Sequence, residues 1–114
     1  MKRFKIEVYI PVSSLETFVN YIINNDLSHT GNYSCCLSYT LVKSMWKSGP
    51  NSSPYIGEPN KLSKEEEYKL EFYALENEVK KIICDLRNMH PYETACINVF
   101  EIIELDHNLC LDDK

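Results

Sequence analysis

Glycine is scarce in this sequence, and its three residues, Gly31, Gly49 and Gly57, never cluster into the loop that cradles phosphates. The usual nucleotide-binding signature is therefore missing. No H-E-x-x-H pair suggests a metalloprotease helix, and no CxxC pair suggests a thioredoxin-like centre. No apolar run approaches the roughly 18 to 20 residues that cross a bilayer. The opening Met1-Lys2-Arg3-Phe4-Lys5 passes directly into an alternating segment instead of a signal-peptide core. These features predict a soluble, cytoplasmic chain with no membrane partner. A basic face is missing too. The formal charge is −5, and most of it comes from Glu101, Glu104, Asp106, Asp112 and Asp113 near the end, so the body is almost neutral. Nucleic-acid binders draw their affinity mainly from neutralised phosphates, so no nucleic-acid partner is expected.

The five cysteines, Cys35, Cys36, Cys84, Cys96 and Cys110, are odd in number and lack framework spacing, which argues for thiols in a reducing compartment. Cys84 and Cys96 fall in expected core elements and read as small buried hydrophobes. A chain of 114 residues can enclose one core, so a single domain is expected.

Phe4 to Ile10 alternates apolar and polar residues, the period of a strand with one buried face, and Pro11 ends its ladder. Ser13 and Glu16 have capping-box spacing ahead of a helix reaching about Asn25. Leu15, Phe18, Val19, Ile22 and Ile23 form its apolar stripe. Tyr33 to Val42 reads as a second strand, and Lys43 to Leu62 as a long loop punctuated by Gly49, Pro50, Pro54, Gly57 and Pro59. Lys64-Glu65-Glu66-Glu67 reads as a solvated approach to a third strand, Tyr68 to Leu75. The stripe then recurs, displaced by 64 residues, as Val79, Ile82, Ile83 and Leu86 in a second helix.

A last strand is expected from Cys96 to Leu105. Its apolar residues fall on both faces, Val99 and Ile103 against Phe100 and Ile102, which suggests burial on two sides. Two β-α-β units of this kind predict an α+β, ferredoxin-like (βαββαβ) sandwich over residues 1–106, followed by an acidic tail at 107–114. Both helices would cover one sheet face, and the other would offer an apolar surface for association.

Three segments stand out in order: Gly31-Asn32-Tyr33-Ser34-Cys35-Cys36, Pro54-Tyr55-Ile56-Gly57-Glu58 and His90-Pro91-Tyr92-Glu93. Together they resemble the PII-like domain inserted in the YqfO-type dinuclear-metal proteins, a domain also found as a stand-alone chain and similar in fold to the PII and CutA proteins. Gly31, Tyr33 and Cys36 match its G-x-Y-x-x-C, Ile56 and Gly57 its I-G, and His90 to Glu93 its H-P-Y-E. Thr94 and Ala95 replace the acid and proline that commonly follow, and Asn51-Ser52-Ser53 stands where Gly-Ala-Asn is usual. The resemblance covers about residues 3–105 and implies a homo-oligomer, a trimer ahead of a dimer. The dinuclear metal site of the larger proteins lies in their other domain and is not implied here.

Thiolate and imidazole are ordinary ligands of zinc and copper, so Cys36 and His90, with Glu93 as an oxygen donor, form a candidate metal corner. Tyr33, Trp46, Tyr55 and Tyr92 are candidate ligand contacts: Trp46 and Tyr55 because large aromatics on a solvated loop are unusual in a mere spacer, Tyr33 and Tyr92 because they stand in the matched motifs. The same residues also suit a plain turn at His90-Pro91, a packed Tyr92 and a buried Cys36. His29 and His107 read as surface residues. Two functions follow: a non-enzymatic binding or regulatory module for a metal or small metabolite near a subunit boundary, or a small Cys/His-dependent hydrolase or redox enzyme.

Overall fold

The structure, a computed structural model, describes residues 1–103 and Cys110. Strand β1 (Arg3–Pro11) leads through a single 3-10 turn at Val12–Ser14 into helix α1 (Leu15–Asn24). Strands β2 (Leu37–Lys47) and β3 (Leu62–Leu75) follow, then helix α2 (Val79–Met89) and strand β4 (Ile97–Ile102). The strands form one sheet in the order β2-β3-β1-β4, with every neighbouring pair antiparallel. This is the expected ferredoxin-like βαββαβ sandwich. No helix among the described residues is long and apolar enough to cross a membrane. The acidic tail apart from Cys110, with His107, and the end of the expected last strand at Leu105 lie outside the described residues.

The alternation read in the first strand places Ile6, Val8 and Ile10 on one face, where they meet Leu70, Phe72 and Ala74 of β3. Phe18 and Ile22 of α1 and Ile82 and Leu86 of α2 close the same core, and all of these residues are almost fully buried. Leu15, Val79 and Ile83 pack at its margin. The helical stripe is narrower than expected at one position, because Ile23 is 51 % exposed. The capping box does not form: α1 has no side-chain cap, and the 3-10 turn takes its place. At the start of α2, Glu78 supplies a reciprocal arrangement, its carboxylate accepting from the Leu75 N–H while its own N–H donates to the Leu75 carbonyl.

Four expectations are corrected. Cys84 and Cys96 are exposed: Cys84 lies outside the buried stripe of α2, and Cys96 precedes β4 at the mouth of a cleft. The second strand begins at Leu37, since residues 27–36 form a tight loop in which Cys35 and Cys36 donate to the carbonyls of Leu27 and Ser28. The charged run Lys64–Glu67 belongs to β3, and the pairing of Leu62–Glu66 with Lys43–Lys47 extends a two-stranded arm beyond the helices. The long loop thereby shrinks to residues 48–61. The uncovered sheet face, finally, is largely polar along β1 and β3, with the exposed Phe100 at its β4 edge. Lys5 and Lys69 both approach Glu71, and Asn98 donates to Glu7. Exposed apolar side chains instead follow the outer strand and its hairpin, at Tyr39, Leu41, Met45 and Leu62. On β4, Val99 and Phe100 are each partly exposed on opposite faces.

Candidate functional site

One end of the open sheet face is roofed. The 48–61 loop leaves the tip of the β2-β3 arm and curls back over the α2-β4 connection, where the Ser53 N–H donates to Glu93 Oε2 at 3.0 Å. Asn60 N–H donates to the Ser48 carbonyl at 2.7 Å and closes the loop at its base. Gly57 is required where the loop turns: its φ is +89°, and a Cβ there would fall 2.2 Å from the Ser63 hydroxyl. The matched I-G therefore has a local steric cause.

Beneath this roof lies a cleft of about 640 Å³, within the usual range for small-molecule sites. Trp46 and Tyr55 flank Tyr92, with ring centroids 5.9 Å and 6.1 Å away. Tyr9, Glu67 and Asn98 from the sheet line the floor, and Glu93, Thr94 and Cys96 line one wall. Alternation explains the floor. Tyr9 and Glu67 have the opposite parity to the core residues Val8 and Leu70, so they face away from the helices.

His90 ends α2 and is buried under the cleft, packed edge-on against Phe18 at 5.8 Å and tilted against Tyr92 at 4.6 Å. Its Nε2–H donates to the Tyr9 carbonyl at 2.6 Å, and its Nδ1 accepts the Tyr92 N–H at 3.1 Å. Both ring nitrogens are thus engaged in the neutral tautomer with the proton on Nε2. Burial holds its pKa below the ordinary histidine value, partly offset by the bond to Tyr9 and by the nearby Glu67 charge. The Tyr92 hydroxyl donates to Glu67 Oε2 at 2.6 Å, and burial followed by this bond raises the phenol's pKa well above its normal value.

The structure brings together Trp46, Tyr55, Tyr92 and Glu93, with His90 directly below. Cys36 and Tyr33 are elsewhere. Tyr33 sits in the turn closed by paired hydrogen bonds with Thr30 and is 75 % exposed. Cys36 shares a shallow depression with Lys5, Glu71 and Tyr73. Tyr9, above His90, pairs with Lys69, and the four residue steps from Lys69 to Tyr73 span roughly 13 Å of strand. Cys36 and His90 therefore stand toward opposite ends of the sheet. Among the described residues no three histidine, cysteine or acidic side chains group as metal ligands. Sequence reasoning missed Glu67, Tyr9 and Asn98 as parts of the cleft. Glu67 was hidden in a run of four charged residues, where a buried carboxylate looks like its solvated neighbours.

The fold is that of a PII/CutA-like domain. The PII-like protein CutA from Nostoc superposes with a TM-score of 0.61 at 18 % identity, covering 99 % of this chain and 88 % of that one. A Bacillus cereus protein related to NIF3 superposes with a TM-score of 0.73 at 22 % identity, covering 90 % of this chain and 26 % of that protein. In sequence, the chain is 31 % identical over 103 residues to a GTP cyclohydrolase 1 type 2 homolog of Staphylococcus epidermidis, covering 90 % of this chain and 27 % of that protein. The chain thus spans between about a quarter and a third of the length of the curated relatives it matches. No model of a protein family matches it. These likenesses support the resemblance drawn from the three motifs: this is a PII-like module similar to a segment of the larger YqfO/NIF3-type proteins.

Proposed function

We propose that this chain is a non-enzymatic binding module that holds a small organic metabolite in the cleft under the 48–61 loop. The single observation carrying this reading is the convergence of Trp46, Tyr55 and Tyr92 around about 640 Å³ of space at the end of a rigid sheet. Aromatic walls with a few placed polar groups are the usual construction of a small-molecule site. A metabolite is favoured over zinc or copper because both nitrogens of His90 are already bonded and Cys36 lies toward the other end of the sheet. The same separation argues against a Cys36–His90 nucleophile and base.

Assembly belongs to this proposal. Strand β2 is an edge strand, and the exposed Tyr39, Leu41, Met45 and Leu62 line it and its hairpin. An apolar edge of this kind invites pairing with another copy. The family resemblance favours a trimer, with a dimer second. Native mass spectrometry of the chain purified without a metal-affinity tag reads both features together. A multiple of the chain mass is expected, carrying a small organic adduct that disappears in the Trp46→Ala, Tyr55→Ala double variant. A bare monomer, or an adduct unaffected by the double substitution, would contradict the reading.

A further inference from the structure

The cleft floor holds a carboxylate that the fold does not explain. Glu67 is 4 % exposed, although it lies between Glu66 and Tyr68 in a strand whose charged neighbours project into solvent. Burying a carboxylate is costly unless a partner offsets the lost hydration. Glu67 has one such partner, the Tyr92 hydroxyl on Oε2. No lysine or arginine makes a described ion pair with it. Among the described residues no fully enclosed side-chain oxygen lacks a hydrogen-bond partner, so Oε1, which has none, opens on the cleft. A negative charge is thus presented from below to a space walled by the rings of Trp46, Tyr55 and Tyr92.

We infer that the cleft selects an organic monocation, an amine or protonated heterocycle on a small planar or apolar body, with Glu67 as its counter-ion. This rests on the cleft being the binding site proposed above. Two independent features ask for the same charge. The ring faces carry negative quadrupolar potential that attracts a desolvated cation, and the half-satisfied carboxylate supplies a charge-assisted hydrogen-bond acceptor. Glu93 adds a second carboxylate on the wall, with one oxygen taken by the Ser53 N–H. Lys47 is the cation at the rim, on the exposed end of the arm. An anion entering this space would meet the Glu67 carboxylate, while Lys69, two residues along β3 on the same face, lies outside the cleft lining with its ammonium 3.8 Å from Glu71. A neutral ring would fill the walls and leave Oε1 without a donor.

Isothermal titration of the full chain with benzylamine, benzyl alcohol and benzoate separates charge from shape. Benzylamine is expected to bind about tenfold more tightly than benzyl alcohol, with benzoate weakest. Glu67→Gln should remove most of that preference, read as the ratio of benzylamine to benzyl alcohol affinity. Tyr92→Phe, which frees the second oxygen of Glu67, should retain it. Equal binding of all three probes would overturn the cation assignment and leave the cleft standing as a site. Binding by none would overturn both. Should Glu67→Gln fail to fold by circular dichroism, the wild-type ratio of benzylamine to benzyl alcohol decides alone.

Discussion

His90 is the residue at which the sequence motif and the physical structure meet. Its two hydrogen bonds join the end of β1 to the turn after α2, and its ring separates the core residue Phe18 from the cleft residue Tyr92. The histidine of H-P-Y-E therefore positions Tyr92. Its depressed pKa makes the arrangement sensitive to acid. In the unfolded chain a histidine takes up a proton near pH ~6.5, whereas the buried ring resists it. The neutral ring's contribution is complete above that value and is lost as pH falls through the lower folded pKa. Urea unfolding at several pH values between about 7.5 and 5 should show wild type losing stability on acidification, with His90→Gln markedly flatter. Parallel pH dependence in the two proteins would remove His90 from this role. Tyr92 was legible as a contact residue through the H-P-Y-E likeness. Glu67 was not, since burial at a single position of a charged run depends on what the loop brings above it.

At the scale of elements, the periodicities carried most of the fold. The apolar alternation of β1 and the recurring stripe of α1 and α2 arise from geometry within each segment, so they can be read without knowing what packs against them. Strand ends depended on partners. Lys43–Lys47 and Leu62–Glu66 have no apolar alternation, and each becomes a strand because the other completes its hydrogen bonds. The stripe of α1 was legible through Phe18 and Ile22 but overextended at Ile23, which is half exposed. Truncation separates these positions. Ile82→Ala, at 2 % exposure, should cost about 2 to 5 kcal/mol in chemical denaturation. Ile23→Ala should cost less than about 0.5 kcal/mol, as expected of an exposed position. Similar losses at both sites would mean that the sheet-facing stripe is wrongly placed.

The whole molecule separates stability from binding along its length. Its core lies under the two helices, while the β2-β3 arm and the 48–61 loop project beyond them, giving overall dimensions of 58 × 26 × 23 Å. The cleft forms where the arm, the end of β1 and the α2-β4 turn meet, so residues distant in sequence enclose it without drawing on the core. Spacing along the chain could nominate Trp46, Tyr55 and Tyr92 one by one. Their meeting over the polar sheet face, and the placement of Cys36 toward its other end, came from strand order and register. Trp46 is the single tryptophan, so its indole N–H gives one resolved signal at the cleft wall. The most direct measurement is a nitrogen-15 correlation spectrum of the full chain titrated with small aromatic amines. Saturable shifts of the Trp46 indole and of the Ser53, Tyr92 and Thr94 amides, with Cys36 and Tyr33 unmoved, are the predicted result. Shifts centred on Cys36 and Tyr33, or an unmoved Trp46 indole throughout, would contradict the account.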